Sequence, residues 1–317
     1  MKPAMHIIQG DGAQHLSLEK NILRALVYFD IFRYPLTLQE IVLFCQVRPA
    51  HLHEVEATLQ DLCNRLLIFK FDDLYAIHNT IGIADRRRAG NKAAQEIMSK
   101  AERRARLIHA FPFVRSVNIS GSLSKNYFDT STDVDYFIIT APDRIWVTRL
   151  MLTFFKKVFL LNSRKYFCIN YYIDSTHLAI PDHNLFAATE IITLKNVSGA
   201  DIYLEFLAQN NWVSSYFPNF EAPSGIPVSQ DIPFFKRITE FIVKGRFGDN
   251  VDNMCFKVMR FFLQKKYHTL NAEKFNVNMR ADKHSSKHHP QGFQFKVLEA
   301  FEAGCIQFGQ KHGITIH

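Results

Sequence analysis

Asp133 and Asp135, separated by a single apolar residue, stand at the start of an otherwise apolar run. In an extended segment alternate side chains share a face, so both carboxylates point the same way while Val134 points into the core. Like charges this close repel each other, which makes the pair a poor structural feature. Hard oxygen ligands suit Mg²⁺, which takes one or two carboxylates together with substrate phosphates. The pair therefore predicts a divalent-cation site.

A Gly-Ser pair, Gly121 and Ser122, precedes Asp133 by ten intervening residues and follows another apolar run. Glycine permits a close approach of the backbone to a ligand. A helix that starts at Ser122 would leave N–H groups and a hydroxyl free for a phosphate. One short stretch, 117–140, could therefore hold both a metal ion and a triphosphate.

This arrangement resembles the nucleotidyltransferase superfamily, which includes DNA polymerase beta and the minimal nucleotidyltransferases. The family signature is an apolar strand, Gly-Ser, a spacer, and then Asp-apolar-Asp leading a second strand, as in Ile119–Ser122 and Asp133–Ile139. Thr132 stands where many members carry Ser or Thr. The resemblance covers about residues 113–175 and implies an α+β fold with a mixed sheet and flanking helices.

The resemblance also implies an activity, the transfer of a nucleoside monophosphate from an NTP such as ATP to a hydroxyl of an unknown small-molecule or protein acceptor. Asp133 and Asp135 would ligate Mg²⁺, or Mn²⁺ in its place, which escorts the phosphates and activates the acceptor hydroxyl. Gly121 and Ser122 would hold the triphosphate. The candidate phosphate clamps, which the sequence does not rank, are Lys125, Arg144 and Arg149.

The chain departs from the family pattern at the third carboxylate, which active members carry on a later strand. The strand that should supply it offers Asn170, our tentative third catalytic position, and an amide cannot take a proton. Asp174 lies at the end of that strand, and Glu190 comes from the next helix. Three alternatives stay open: a displaced third acid, a weakened metal site, or an NTP-binding sensor or scaffold without chemistry.

The N-terminal segment, 1–83, is expected to be a winged-helix-like domain. Thr37 and Glu40 fit a capping box at the start of its second helix. Apolar runs on either side of Asp72 predict a hairpin. The third helix, about 50–66, carries several acids that would face DNA phosphates, so we expect a packing or protein-interaction module rather than a DNA-binding regulator.

Three further segments complete the predicted organisation. Residues 84–112 are expected to form a charged linking helix, 113–183 the nucleotidyltransferase core, and 184–317 a helical C-terminal domain. Alternating patterns in the core predict strands and one helix. These elements are strands at 115–120, 133–140 and 166–173 and a helix at 144–161. Helices are predicted at 184–195, 199–210, 231–245, 251–271 and 291–310.

The composition favours a core-forming protein with an anionic partner. The chain has 317 residues, a formal net charge of +8, and hydrophobic residues at 47%. Its five cysteines show no CxxC spacing, which is typical of reduced thiols in a cytoplasmic protein. We expect no signal peptide, because the N-terminal residues contain no long apolar core and no small-residue cleavage site. We also expect no membrane span, because the most apolar helix, 145–161, contains Arg149, Lys156 and Lys157. The sequence leaves open whether the chain forms a homodimer.

A histidine-rich segment lies near the C-terminus. His284 and His288 are four residues apart, a spacing that can chelate a transition metal on a helix, and His289 follows. Pro290 and the neighbouring serines favour a loop instead. We therefore expect a solvated polar loop rather than a zinc site.

Overall fold

The computed structural model describes residues 17–49, 51–161, 165–224, 233–266, 282–287 and 292–316. The structure is mixed α+β and divides into two compact units. One unit comprises 1–83, 215–219 and 300–317, and the other comprises 84–214 and 220–299. Among the described residues no helix is both long enough and apolar enough to cross a bilayer.

The described elements overlap those predicted, and parts of the predicted helices 231–245, 251–271 and 291–310 lie outside the described residues. The helices are α1 (Leu18–Asp30), α2 (Leu38–Phe44), α3 (Leu52–Asn64), α4 (Ile81–His109), α5 (Gly121–Ser124), α6 (Ile145–Phe159), α7 (Leu185–Ile192), α8 (Ala200–Gln209), α9 (Phe234–Ile242), α10 (Gly245–Lys266) and α11 (Phe293–His312). The strands are β1 (Leu36–Thr37), β2 (Phe69–Phe71), β3 (Leu74–Ala76), β4 (Val114–Ser120), β5 (Asp135–Thr140), β6 (Cys168–Asp174), β7 (Lys195–Ser198) and β8 (Ser285–Lys287).

The first unit combines helices α1 to α3 with a small antiparallel sheet of order β1-β3-β2. The predicted capping box is confirmed, since Thr37 Oγ1 accepts from the Glu40 amide and Glu40 Oε2 accepts from the Thr37 amide at 2.9 Å. The predicted hairpin is confirmed as β2 and β3, with Asp72 at φ +57° in the turn. The capping box and the hairpin each join residues that are close together in the sequence.

The second unit is built on a five-stranded mixed sheet of order β7-β4-β5-β6-β8. Strand β4 is antiparallel to both of its neighbours, and β6 is antiparallel to β8. Strands β5 and β6 are parallel, which requires a crossover connection, and α6 supplies it. The ends of β4 and β5 that carry Ser120 and Asp135 are directly paired.

The two faces of this sheet pack against different helices. On one face Ala105 of α4, Ile138 of β5 and Trp146 of α6 belong to one buried apolar cluster. On the other face Phe137 of β5 contacts Phe206 of α8, with ring centroids 5.1 Å apart. Asp135 and Phe137 alternate with the core residue Ile138, so they point to the α8 face.

Two edge strands correct the expectation that everything after residue 184 is helix or loop. Strand β7, Lys195–Ser198, pairs with β4, and β8, Ser285–Lys287, pairs with β6. The second of these lies within the segment that we expected to be a solvated loop. Both strands are short and polar, so they lack the apolar alternation by which strands are recognised in a sequence.

Candidate active site

The Gly-Ser turn and the aspartate pair meet at one end of the β4–β5 pair. Gly121 follows β4 directly and has a φ of +67°, a conformation that glycine adopts without strain. A Cβ atom on Gly121 would lie only 2.5 Å from Oδ2 of Asp135. The close approach of this backbone to the carboxylate therefore requires glycine, for reasons of both φ and space.

Asn170 reaches the same carboxylate through an irregularity in β6. Tyr136 pairs with Ile169, but the next residue, Phe137, pairs with Tyr171, so Asn170 is an extra residue in the strand. Bulges of this kind redirect side chains and are common beside active sites. Here the Asn170 Nδ2 donates to Oδ1 of Asp135 at 2.5 Å.

The environment of Asp135 disfavours its charged form. Burial raises the pKa of Asp135 to about 7, although a hydrogen bond from Cys168 opposes the shift. The negative charges of Asp133 and Glu190 raise the pKa further, and the hydrogen bond from Asn170 opposes them. Burial therefore favours the protonated form of this carboxyl well above its usual range, and a cation beside it would favour the ionised form.

A cavity of about 290 Å³ opens beside this group on the α8 face of the sheet. Most of its lining is apolar and comes from β5, β6, α7, α8, the start of α11 and two loops. These residues are Phe137, Tyr171, Ile180, Phe186, Ala187, Ile191, Leu194, Phe206 and Phe293. The remaining lining residues are Ser120, Gly121, Asp135, Asn170, Asp182, Glu190, Lys287 and Gln294. An apolar cleft with a few convergent polar groups is typical of a small-molecule site.

Lys125 and Glu190 hold the Gly-Ser turn in place. The Lys125 Nζ donates to Oε1 of Glu190 at 2.8 Å and to the carbonyl oxygen of Gly121 at 3.1 Å. The Lys125 side chain is 17% exposed. The predicted phosphate clamp is thus engaged with the turn itself, and it brings Glu190 of α7 to the cavity.

The two other predicted residues of this stretch lie just outside the cavity lining. Asp133 precedes β5 and is partly buried, and it acts on Asp135 through its charge. Ser122 is the second residue of α5, and its carbonyl oxygen accepts from the backbone amides of Lys125 and Tyr127. Neither residue is among those that line the cavity.

Arg144 lies away from the cavity, in the loop that precedes α6. Its guanidinium donates to Asp249 Oδ1 at 2.8 Å and to the carbonyl oxygens of Asp143, Val243 and Gly245. Its side chain is 8% exposed. These contacts tie the β5–α6 loop to the start of α10.

Arg149 points to the opposite face of the sheet from the cavity. Its guanidinium lies over the rings of Trp146 and Tyr172, which belong to the core cluster on that face. It also donates to the hydroxyl of Ser286 in β8. The sequence placed Arg149 among the phosphate clamps, whereas the structure places it in the packing between α6 and β8.

Replacing Arg144 by alanine is expected to lower the free energy of unfolding by about 2–4 kcal/mol, because three carbonyl groups and Asp249 lose a donor. The affinity for Mg²⁺-NTP should stay at the wild-type value, because Arg144 does not reach the cavity. Urea denaturation and nucleotide titration measure the two quantities. Arg246→Ala removes an exposed arginine of α10, the helix that Arg144 contacts, and should leave both quantities unchanged. A large loss of nucleotide affinity without a loss of stability would contradict this assignment.

Asp174 does not supply the displaced third acid. It pairs with Thr140, at the far end of β5 from Asp135. The extra residue at Asn170 also moves it to the other face of the sheet, because alternation resumes one position later. Glu190 is the alternative acid that the structure brings to the cavity.

Two residues of the predicted histidine segment, His288 and His289, lie outside the described residues. His284 is described, and it contacts Asp174 rather than the cavity.

The sequence analysis did not identify the apolar residues that line the cavity. Phe137 could have been identified, because it lies two residues after Asp135 and therefore shares its face of the strand.

The residues present fit a divalent cation. Asp135, Asp133 and Glu190 are hard oxygen donors of the type that Mg²⁺ takes. Their mutual repulsion contributes to the raised pKa of Asp135, after burial, and a bound cation would relieve it. Asn170 adds an amide that can ligate through its oxygen.

Comparison of the chain with models of protein families, with curated proteins and with solved structures gave no match.

Proposed function

We propose that this chain is a nucleotidyltransferase that moves a nucleoside monophosphate from an NTP to a hydroxyl of an acceptor. The observation that carries the proposal is the close approach of the Gly121 turn to the Asp135 carboxylate, both of which line the cavity. The Gly121 backbone is able to approach a phosphate closely, and the neighbouring Asp135 carboxylate is suited to bind a metal ion. A nucleotide and its metal ion could therefore bind side by side.

The reaction would form a bond between the acceptor oxygen and the α-phosphorus, and it would break the bond from that phosphorus to the bridging oxygen. Pyrophosphate would leave, and the hydroxyl proton would pass to a base. Asp133 and Asp135 would hold Mg²⁺, which supplies charge stabilisation for the transferring phosphoryl group when bound. Glu190 is a cavity carboxylate that could accept the proton.

The apolar lining supports a role in positioning the nucleotide base or an apolar acceptor. Tyr171 and Phe293 offer accessible aromatic surfaces on which a planar ring can stack, and the buried Phe137, Phe186 and Phe206 form the apolar wall behind them. The net charge of +8 also favours an anionic substrate. Orienting the two reactants in this cleft would itself lower the barrier.

A second candidate function is an NTP-binding sensor or scaffold. It is favoured by Asn170, which contacts Asp135 directly and cannot act as a base. In this reading the nucleotide and metal bind, and binding rather than turnover is the output. Turnover of the bound NTP separates the two functions.

We also propose a fold type for each of the two units. The strand, Gly-Ser turn and second strand led by the aspartates support a nucleotidyltransferase type of mixed sheet. Three helices and a small hairpin sheet support a winged-helix-like first unit. The acids of α3 argue against duplex DNA as its partner.

Thermal-shift titration of the four NTPs, with and without Mg²⁺, tests the proposal. We expect a metal-dependent rise in melting temperature, because a ligand that binds only the native state stabilises it by mass action. The rise should vanish in the double variant Asp133→Asn/Asp135→Asn. Pyrophosphate release would then identify an enzyme, and binding without release would identify a sensor. No shift with any NTP would refute both functions.

A further inference from the structure

A cluster of metal-ligand side chains lies at the end of the sheet opposite to Asp135. Asp174 is the last residue of β6, and His177 follows it by three residues in the next turn. His284 precedes β8, and its carbonyl oxygen accepts from the Asp174 amide at 3.3 Å. Pairing of β6 with β8 thus brings together residues that are far apart in the chain.

We infer that Asp174, His177 and His284 form a binding site for a divalent transition-metal cation of the zinc class. This site is separate from the Mg²⁺ site proposed above. Two imidazoles and one carboxylate are the borderline ligands that Zn²⁺ prefers, whereas Mg²⁺ prefers oxygen.

The distances among the ligand atoms are close to those of a tetrahedral site. The Nδ1 of His177 is 3.0 Å from Oδ1 of Asp174, and the Nδ1 of His284 is 2.8 Å from Oδ2. One ligand atom from each residue lies within 4.8 Å of the others. Zinc–nitrogen and zinc–oxygen bonds of about 2.1 Å imply ligand–ligand separations of roughly 3.4 Å in a tetrahedron. The two histidine–carboxylate separations would therefore have to lengthen by roughly 0.4 Å and 0.6 Å to admit the ion.

The carboxylate of the cluster is held rigidly by groups around it. Asp174 is completely buried, and its Oδ1 also accepts from the Thr176 amide at 2.9 Å and the Thr176 hydroxyl at 2.7 Å. Hydrogen bonds of this kind orient metal-ligating carboxylates and increase the affinity for the metal. Asp143 lies nearby, with its Oδ1 3.9 Å from the His284 Nδ1, and the same oxygen is paired with the Lys283 ammonium at 3.0 Å.

The histidines leave one side of the cluster open to solvent. The His177 side chain is 51% exposed and that of His284 is 36% exposed. Their rings are stacked, with centroids 3.6 Å apart. An ion can therefore enter without unfolding the sheet, and water can occupy a fourth ligand position, as in zinc sites with three protein ligands.

Without a metal the same three residues can share protons, each histidine donating to one carboxylate oxygen. Binding of the ion would displace the Nδ1 protons, so it should release protons and weaken at acidic pH. The competing interpretation, a purely hydrogen-bonded clamp between β6 and the segment 282–287, predicts no specific metal binding. The two interpretations differ in direct titration.

Isothermal titration of the chelator-treated full chain with ZnCl₂ tests the inference. We expect one tight site in the wild type, and at least a tenfold weaker affinity in His177→Ala and in His284→Ala. Circular dichroism checks that both variants fold. Titration with CoCl₂ should give the visible absorption of a tetrahedral nitrogen–oxygen site without a thiolate charge-transfer band.

The matched control is His51→Ala/His53→Ala, which removes another stacked histidine pair that forms no three-ligand cluster among the described residues. Its zinc affinity should equal that of the wild type. The inference is overturned by absence of binding, by unchanged affinity in both single variants, or by a loss confined to the control. Because the readout is zinc binding alone, failure of the nucleotide proposal does not affect the result.

Discussion

At about pH 8 the variant Asp135→Asn is expected to be more stable than the wild type and to lose Mg²⁺-dependent NTP binding completely. Burial and the neighbouring charges of Asp133 and Glu190 raise the pKa of Asp135 to about 7. In the metal-free protein the ionised form of Asp135 therefore lowers the free energy of unfolding. The neutral amide of asparagine removes this destabilisation, and it also removes the charged carboxylate that would bind Mg²⁺.

The sign of the pH dependence follows from the two pKa values. The folded-state pKa lies above the unfolded-state value of about 3.9. Between these values the native state binds more protons than the unfolded state, so the free energy of unfolding falls as the pH rises. The penalty is absent below about pH 4 and complete above about pH 7. Asparagine does not titrate, so the variant lacks this slope.

We therefore expect the effect of Asp135→Asn on the free energy of unfolding to become more favourable by about 2–4 kcal/mol between about pH 4 and about pH 8. Urea denaturation at several pH values without divalent ions measures it. Asp182→Asn is the matched control, because Asp182 lines the same cavity but lies 3.4 Å from the Lys287 ammonium. It should show no such gain. A variant that binds Mg²⁺-NTP normally, or that is destabilised equally at every pH, would contradict the assignment of Asp135.

Local signals in the sequence were sufficient for the parts of the fold that are stabilised locally. The Thr37–Glu40 capping box and the hairpin at Asp72 depend on neighbouring residues alone, and both were predicted. The proximity of Gly121 to Asp135 was also implied by the sequence, which predicted that the stretch 117–140 brings both residues to one site. Antiparallel pairing of two successive strands brings the end of the first close to the start of the second.

Features that depend on distant partners were not predicted. The extra residue at Asn170 exists because β6 must pair with β5 in a particular register, and no local pattern specifies that register. Strands β7 and β8 form only because β4 and β6 offer unpaired edges. Positive charge alone could not separate Lys125, beside the turn, from Arg149, buried among aromatic rings.

The cluster of Asp174, His177 and His284 also depends on strand pairing that the sequence does not reveal. Spacing along the chain paired His284 with His288, whereas the structure pairs it with a carboxylate from β6. Ligands drawn from separate strands have no characteristic spacing. Such a site becomes visible only after the strand order is known.

Replacing Gly121 by alanine is expected to destabilise the chain by about 2–4 kcal/mol and to abolish NTP binding. One contribution is the left-handed backbone conformation, which costs an L-residue about 1–2 kcal/mol. The other is steric, because the new Cβ would lie 2.5 Å from Oδ2 of Asp135. The carboxylate cannot move freely, since its Oδ1 is held by Asn170.

Gly245→Ala separates these two contributions. Gly245 lies in the same unit with a φ of +57°, and a Cβ there would meet no atom within 4 Å. It should therefore show only the backbone cost, with unchanged affinity for Mg²⁺-NTP. Urea denaturation and nucleotide titration of the two variants give the difference directly. Equal destabilisation, with NTP affinity retained in both, would mean that the close approach of Gly121 to Asp135 contributes neither to stability nor to nucleotide binding. Loss of binding only in Gly121→Ala would mean that the position of this carboxylate against the turn is what the nucleotide requires.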